Sequence, residues 1–329
     1  MNKKRWFSVM SLLMIIIIFL SLSLGAVHLT FGQLLTAIMK GTDCGLAGSI
    51  FWYVRLPRTI ACLLAGLGLS VSGLVIQNVL SNKLASPSII GVNAGAGLAV
   101  TVCCAFGWFG SWLVTGSAFI AAMLTVFMIV MIARKMNASR TTVILIGVAV
   151  NSFLNAICEA IITLIPEVAI MSSDFRVGGF SSVTISQLLP AGIFIISGFL
   201  ILLTLCNELD LMNMGEETAH SLGLSVKNMR TCFLALAALL SGASVSFSGL
   251  LGFVGLIVPH ISRKLIGGES RYLLPFSAIT GAFFVTLCDL ISRLLFLPYE
   301  IPVGILMSFL GGPFFVFLLL KNKGGRKHA

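Results

Sequence analysis

The chain has 329 residues, of which 58% are hydrophobic and only 10% charged, and its mean hydropathy is +1.07. Soluble proteins average about 25% charged residues, and so few charges could not coat a water-exposed surface of this size. A soluble, disordered or disulfide-framed secreted protein is excluded, as is nucleic-acid binding; the net charge of +10, from 21 Lys and Arg against 11 Asp and Glu, instead fits basic cytoplasmic loops between membrane spans.

A spanning helix needs about 20 mainly apolar residues. In chain order such segments fall near 9–28, 60–80, 93–110, 113–133, 141–164, 188–206, 231–250, 253–267, 272–296 and 304–320. The first follows Lys3-Lys4-Arg5 but no small-residue cleavage site comes after it, so it reads as an uncleaved span and not a signal peptide. The third is rich in glycine (Gly91, Gly95, Gly97, Gly107, Gly110), and the eighth is short and carries Pro259 and His260. The expectation is an all-α polytopic membrane protein with about ten transmembrane helices in one domain over 1–329, and a long inner loop at 207–230.

Charge orients these spans. With both ends inside, the inner segments hold Lys3, Lys4, Arg5, Lys83, Arg134, Lys135, Arg140, Lys227, Arg230, Arg263, Lys264, Arg271, Lys321, Lys323, Arg326 and Lys327. The outer segments hold Lys40, Arg55, Arg58, Arg176 and Arg293. Such a bias predicts an N-in/C-in topology. A weak repeat is also visible: Ile60–Gly73 aligns with Leu236–Gly249, matching Gly66, Ser70, Ser72 and Gly73 with Gly242, Ser246, Ser248 and Gly249. The two segments would cross in opposite directions, as in an inverted repeat of a transporter.

The usual reaction signatures are missing. There is no GxxxxGK[ST] for ATP, no HExxH and no GxSxG. The cysteines (Cys44, Cys62, Cys103, Cys104, Cys158, Cys206, Cys232, Cys288) form no CxxC pair, and His28, His220, His260 and His328 are scattered, so neither a catalytic nor a metal site is expected. Two acidic residues lie within spans. Asp289 has Arg293 four residues on as an intrahelical partner. Glu159 has no evident partner and would be the coupling site if an ion gradient drove transport.

Residues 207–230 favour a helix–Gly–helix elbow. Glu216 to Leu222 can make two turns, Gly223 can stop them, and Ser225 can cap a second short helix. Ala219, Leu222 and Leu224 would give the elbow an apolar face for a groove on another protein.

Three stretches are specific in order and spacing. The first runs from Arg55-Leu56-Pro57-Arg58 through Gly66, Ser72-Gly73 and Gln77 to Asn82-Lys83-Leu84-Ala85-Ser86-Pro87 and Gly91-Val92-Asn93-Ala94-Gly95. The second is Gly215-Glu216-Glu217-Thr218-Ala219-His220-Ser221-Leu222-Gly223-Leu224. The third begins at Gly252-Phe253-Val254-Gly255 and Pro259-His260-Ile261-Ser262-Arg263, and continues through Asp289 and Arg293 to Pro302-Val303-Gly304 and Gly311-Gly312-Pro313. Over about residues 50–320 the chain resembles the permease subunits of bacterial ABC importers for iron–siderophore, haem and cobalamin.

That resemblance implies a type II importer permease of the bacterial cytoplasmic membrane that pairs with a second copy or a related permease. An ATPase dimer, which holds ATP and Mg, would dock inside; an extracytoplasmic substrate-binding protein would dock outside. Coupling to the ATPase falls on Glu216, Glu217, Ala219, His220, Leu222, Gly223 and Leu224. Docking of the binding protein falls on Arg55, Arg58 and Arg293, and a cytoplasmic gate on Asn82 and Leu84 with Ser139, Thr141 and Thr142. No cofactor is implied in this chain, and the cargo is a metal chelate, iron–siderophore first, then haem or cobalamin.

Overall fold

The computed structural model describes residues 3–25, 27, 29–41 and 45–324. Cys44, His28, His328, Arg326 and Lys327 lie outside the described residues, as do the side chains of Lys321 and Lys323. Every regular element among the described residues is a helix. In order they are α1 (Lys3–Ser23), α2 (Phe31–Lys40), α3 (Leu46–Ile50), α4 (Leu56–Val79), α5 (Val92–Ala105), α6 (Ser111–Lys135) and α7 (Arg140–Leu164). Then follow α8 (Glu167–Val177), α9 (Ile185–Thr204), α10 (Cys206–Met214), α11 (Glu216–Ser221), α12 (Val226–Ser248), α13 (Val254–Ile266), α14 (Ser270–Leu294) and α15 (Val303–Gly324).

Each of the ten expected segments holds a helix: α1, α4 to α7, α9 and α12 to α15. Seven helices are long and apolar enough to cross a membrane, namely α1, the continuous run Leu46–Val79, α6, α7, α9, α12 and α14. The glycine-rich α5 has 14 residues and α13 has 13. Left-handed residues precede both, Gly91 (φ 92°) and Phe253 (φ 64°), and Gly267 (φ 92°) ends α13.

Short helices α2, α3, α8 and α10 occupy stretches read from sequence as loops. They are 5 to 11 residues long, below any span-length window. The start of α2 carries a capping box in which Thr30 and Gln33 satisfy each other's backbone N–H. A π-helical turn, Phe51–Arg55, joins α3 to α4 and aims Arg55 inward.

The centre of the bundle is α4, which packs most extensively on α14 and α12. Gly66 and Gly281 meet backbone to backbone, and a side chain on either would collide with the other helix. Small hydroxyl residues complete the contact: Ser70 Oγ donates to Ser277 O at 2.8 Å and Ser72 Oγ to Ala237 O at 2.7 Å. This is close helix packing suited to lipid, where no hydrophobic force drives helices together. Ser72 meets α12 at Ala237, whereas Gly68 meets it at Leu240 and Ser244. The two helices are therefore antiparallel, the relation that the repeat alignment requires.

Twenty residues separate Arg58 and Asn78 along α4, about 30 Å at 1.5 Å per residue. That matches the hydrocarbon thickness of a bilayer, and polar clusters sit at these two ends.

Candidate functional site

At the Arg58 end, four charged groups converge. Asp289 on α14 is fully buried and pairs with Arg293 one turn on (Nε–Oδ2 3.0 Å) and with Arg58 of α4 (Nη2–Oδ1 3.0 Å). Arg58 also reaches Glu300 at 2.6 Å, whose side chain is partly exposed. Arg293 Nη2 donates to Ser21 Oγ of α1 at 2.9 Å, and Ser21 meets Thr59 at 2.9 Å. Arg55 donates to the carbonyls of Leu24 and Val27 beyond the end of α1.

The three arginines on which docking of a binding protein was expected, Arg55, Arg58 and Arg293, are largely buried. They are only 5%, 8% and 1% exposed. The reason is local: a buried carboxylate and unpaired helix-end carbonyls need donors, and guanidinium groups supply several in a fixed fork. Arg58, through Glu300, is the one of the three whose ion-pair partner reaches the surface.

Glu159 does have a partner: Arg176 at the end of α8 donates to it at 2.7 Å, with both side chains well exposed. It lies on an exposed face of α7 with Ser152, Asn155 and Thr163. Such polar residues on a membrane helix face protein or a water-filled path and not lipid.

At the opposite end stands the elbow. Helix α11 ends in a Schellman arrangement: Leu224 N–H donates to Ala219 O at 3.0 Å and Gly223 N–H to His220 O at 2.9 Å. Gly223 has φ +85°, a conformation that side chains with a Cβ resist, and no atom lies near where a Cβ would stand. Two details differ from expectation. Ser225 precedes α12 itself, not a separate short helix, and its side chain makes no cap bond. The apolar trio is also split: Ala219 is buried and Leu224 packs on the core, while Leu222 stands 62% exposed beside exposed Glu217 and His220.

One carboxylate ties this elbow to the bundle. Glu216 Oε1 accepts from Arg140 Nε at 3.0 Å and from Arg230 of α12. Arg140 opens α7 and donates further to Met212 O (2.9 Å) and to Ser81 Oγ, while Arg230 donates to Ala138 O (2.9 Å). Nearby, Arg263 of α13 donates to Gln77 and Asn78 at the end of α4.

The expected gate residues fall on two turns at this end. Asn82 Oδ1 accepts from Leu84 N–H at 2.9 Å, closing the turn that leaves α4, and Leu84 is half-buried. Ser139 caps α7 by accepting from Thr142 N–H at 3.2 Å; Thr141 is exposed. What links the turns is the Arg140–Ser81 bond. In the sequence Arg140 and Arg230 stand out only as inner charges, and nothing marks Glu300. The signal was thin: Arg140 lies inside the Ser139–Thr142 stretch, but its partners are 59 and 76 residues away.

Comparison with known proteins agrees with this architecture. The model of the FecCD transport family matches residues 13–321. The iron(3+)-hydroxamate import system permease protein FhuG of Bacillus subtilis is 33% identical, with 94% of this chain and 95% of that one covered. The hemin transport system permease protein HmuU of Yersinia pestis is 32% identical, covering 96% and 95%. Among solved structures, an inward-facing metal-chelate type ABC transporter superposes with a TM-score of 0.87 at 30% identity, over 97% of this chain and 99% of that one. An ion-gradient carrier built on Glu159 finds no support in these matches. The chain is a multi-pass membrane permease, and it belongs to the FecCD transport family.

Proposed function

We propose that the chain is the membrane-spanning subunit of an ATP-driven importer that carries a metal chelate into the cytoplasm. Ten crossings put both ends and the 207–230 segment inside, in two inverted halves. The protein pairs with a second copy or a related permease through the faces of α7 and α15, whose Ser152, Asn155, Glu159, Ile305 and Phe309 are exposed in the single chain. The path runs between the two permeases.

An ATPase dimer, which binds ATP and Mg, receives α11. Leu222 enters its groove, Glu217 and His220 flank it, and Glu216, Ala219, Gly223 and Leu224 hold the elbow's shape. Asn82, Leu84, Ser139, Thr141 and Thr142 form the inner constriction. Outside, a substrate-binding protein docks over Arg58 and Glu300; Arg58 would exchange Glu300 for a carboxylate of that partner. Arg55 and Arg293 shape the rim by holding the end of α1.

The observation that carries this reading is the exposed Leu222 on a glycine-terminated elbow at the basic end of the bundle. Relatives whose names specify iron hydroxamate and hemin support a metal-chelate cargo; an iron–siderophore complex is put first and haem or cobalamin next. The test is co-expression with the cognate ATPase and binding protein, followed by uptake of ferric hydroxamate, haemin and cobalamin in competition. The expected result is a complex of two permeases and two ATPases that imports one of these classes. A chain that purifies without any ATPase, or a complex that moves none of the three, would contradict the proposal.

A further inference from the structure

The elbow is a short helix between two unobstructed glycine pivots. Helix α11 has six residues, too few to hold its position by its own hydrogen bonds. Gly215 (φ 121°) precedes it and Gly223 (φ 85°) follows it. No atom lies within 4 Å of a Cβ built at Gly223, and at Gly215 only Thr218 of the same helix comes that near. Its charged tie to the bundle is Glu216, whose single oxygen Oε1 accepts from Arg140 at the start of α7 and from Arg230 in the first turn of α12. Both arginine side chains are mostly buried, 16% and 13% exposed. The Glu216 side chain is 42% exposed, so these pairs stand at an open edge of the bundle, and charge-assisted bonds are stronger than neutral ones.

Arg140 does more than pair with Glu216. The same guanidinium donates to Met212 O, at the end of α10, and to Ser81 Oγ, in the turn that leads to Asn82 and Leu84. Arg140 itself lies between Ser139 and Thr142, the capping pair of α7. One planar fork therefore joins the elbow to both turns of the candidate gate. We propose that Arg140 is the positioning residue that converts displacement of α11 into movement of the Ser81–Leu84 turn and the start of α7. This rests on the reading of α11 as the ATPase docking element. A lysine carries its three donors on one nitrogen and cannot match partners that are met separately by Nε, Nη1 and Nη2.

The alternative is that Arg140 only pins the fold. The two differ in what is lost. A pin would change insertion, assembly or melting; a relay would change transport per ATP hydrolysed and the response of the gate turn.

The test uses the full complex in proteoliposomes, with Cys44 and the exposed Cys232 replaced by serine and a reporter cysteine at Lys83→Cys. In the parent, trapping the ATPase with ATP and vanadate should change the thiol labelling rate at position 83. With Arg140→Gln, ATP hydrolysis should persist, uptake per ATP should fall at least tenfold, and trapping should no longer alter labelling. Arg140→Lys should fall between. Should Arg140→Gln fail to assemble, Ser81→Ala removes the bond to the gate turn without touching charge or the elbow, and should lower uptake per ATP at unchanged assembly. Uptake per ATP within twofold of the parent in Arg140→Gln, or in Ser81→Ala if that variant must decide, overturns the relay. If the parent itself takes up cargo with no ATPase present, the underlying reading fails, and this is seen before any variant is made.

Discussion

Asp289 shows what a single residue can reveal and hide. Its pairing with Arg293 is written in the sequence as an i,i+4 spacing, and the structure has it at 3.0 Å. Its second partner, Arg58, lies 231 residues away and could not be read from any local pattern. The carboxylate is buried between two guanidinium groups, so removing its charge leaves Arg293 without a carboxylate and Arg58 with Glu300 alone. Breaking a buried pair in this way costs about 3–5 kcal/mol. Asp289→Asn should therefore lower the melting temperature in detergent sharply, whereas Glu159→Gln, which breaks a pair that is exposed in the single chain and worth about 0–1 kcal/mol there, should change melting little. Equal effects of the two substitutions would contradict this ranking. Arg58→Gln should weaken binding of the substrate-binding protein; because Arg58 also pairs with buried Asp289, a melting measurement beside a binding assay across a salt series separates lost docking from lost folding.

The elements were legible to the degree that they were long and apolar. Each of the ten expected segments holds a helix, and in the seven long and apolar enough to cross a membrane the backbone groups find partners only within their own chain. Helices α2, α8 and α10 escaped because each is too short to give a span-length apolar signal. In the elbow, Gly223 as the helix stop is the feature that the sequence shows most directly, while the Ser225 cap is not formed. At φ +85° with free space around it, that glycine is required by the backbone and not by packing; a left-handed residue with a Cβ costs about 1–2 kcal/mol. Gly223→Val should leave the bundle inserted yet reduce ATP-driven uptake, while Gly223→Asn should retain more of it, because Asn tolerates the left-handed region. Gly281→Val should act differently: its side chain would enter the backbone of α4 at Gly66, so it should lower thermal stability far more than Gly116→Val, whose Cβ meets nothing within 4 Å.

At the scale of the whole molecule, the polar groups sort to two ends. Arg58, Asp289, Arg293 and Glu300 mark one, and Glu216, Arg140, Arg230 and Arg263 the other, with α4 running between them. The sequence separated these groups by charge bias alone; how each joins its neighbours depends on contacts between distant segments, so that remained hidden. Single cysteines placed at position 217 or 324 in a cysteine-free background should resist an impermeant thiol reagent in intact cells, and labelling from outside would refute the proposed orientation.

The central claim concerns the energy source, and uptake into proteoliposomes tests it most directly. The permease is reconstituted with its ATPase and binding protein, and chelate accumulation is measured with ATP inside the vesicle-facing compartment of the ATPase, then with a proton or sodium gradient alone. The account predicts accumulation that requires both ATP and the ATPase and is unchanged by collapsing ion gradients. Accumulation driven by a gradient in the absence of the ATPase would contradict it.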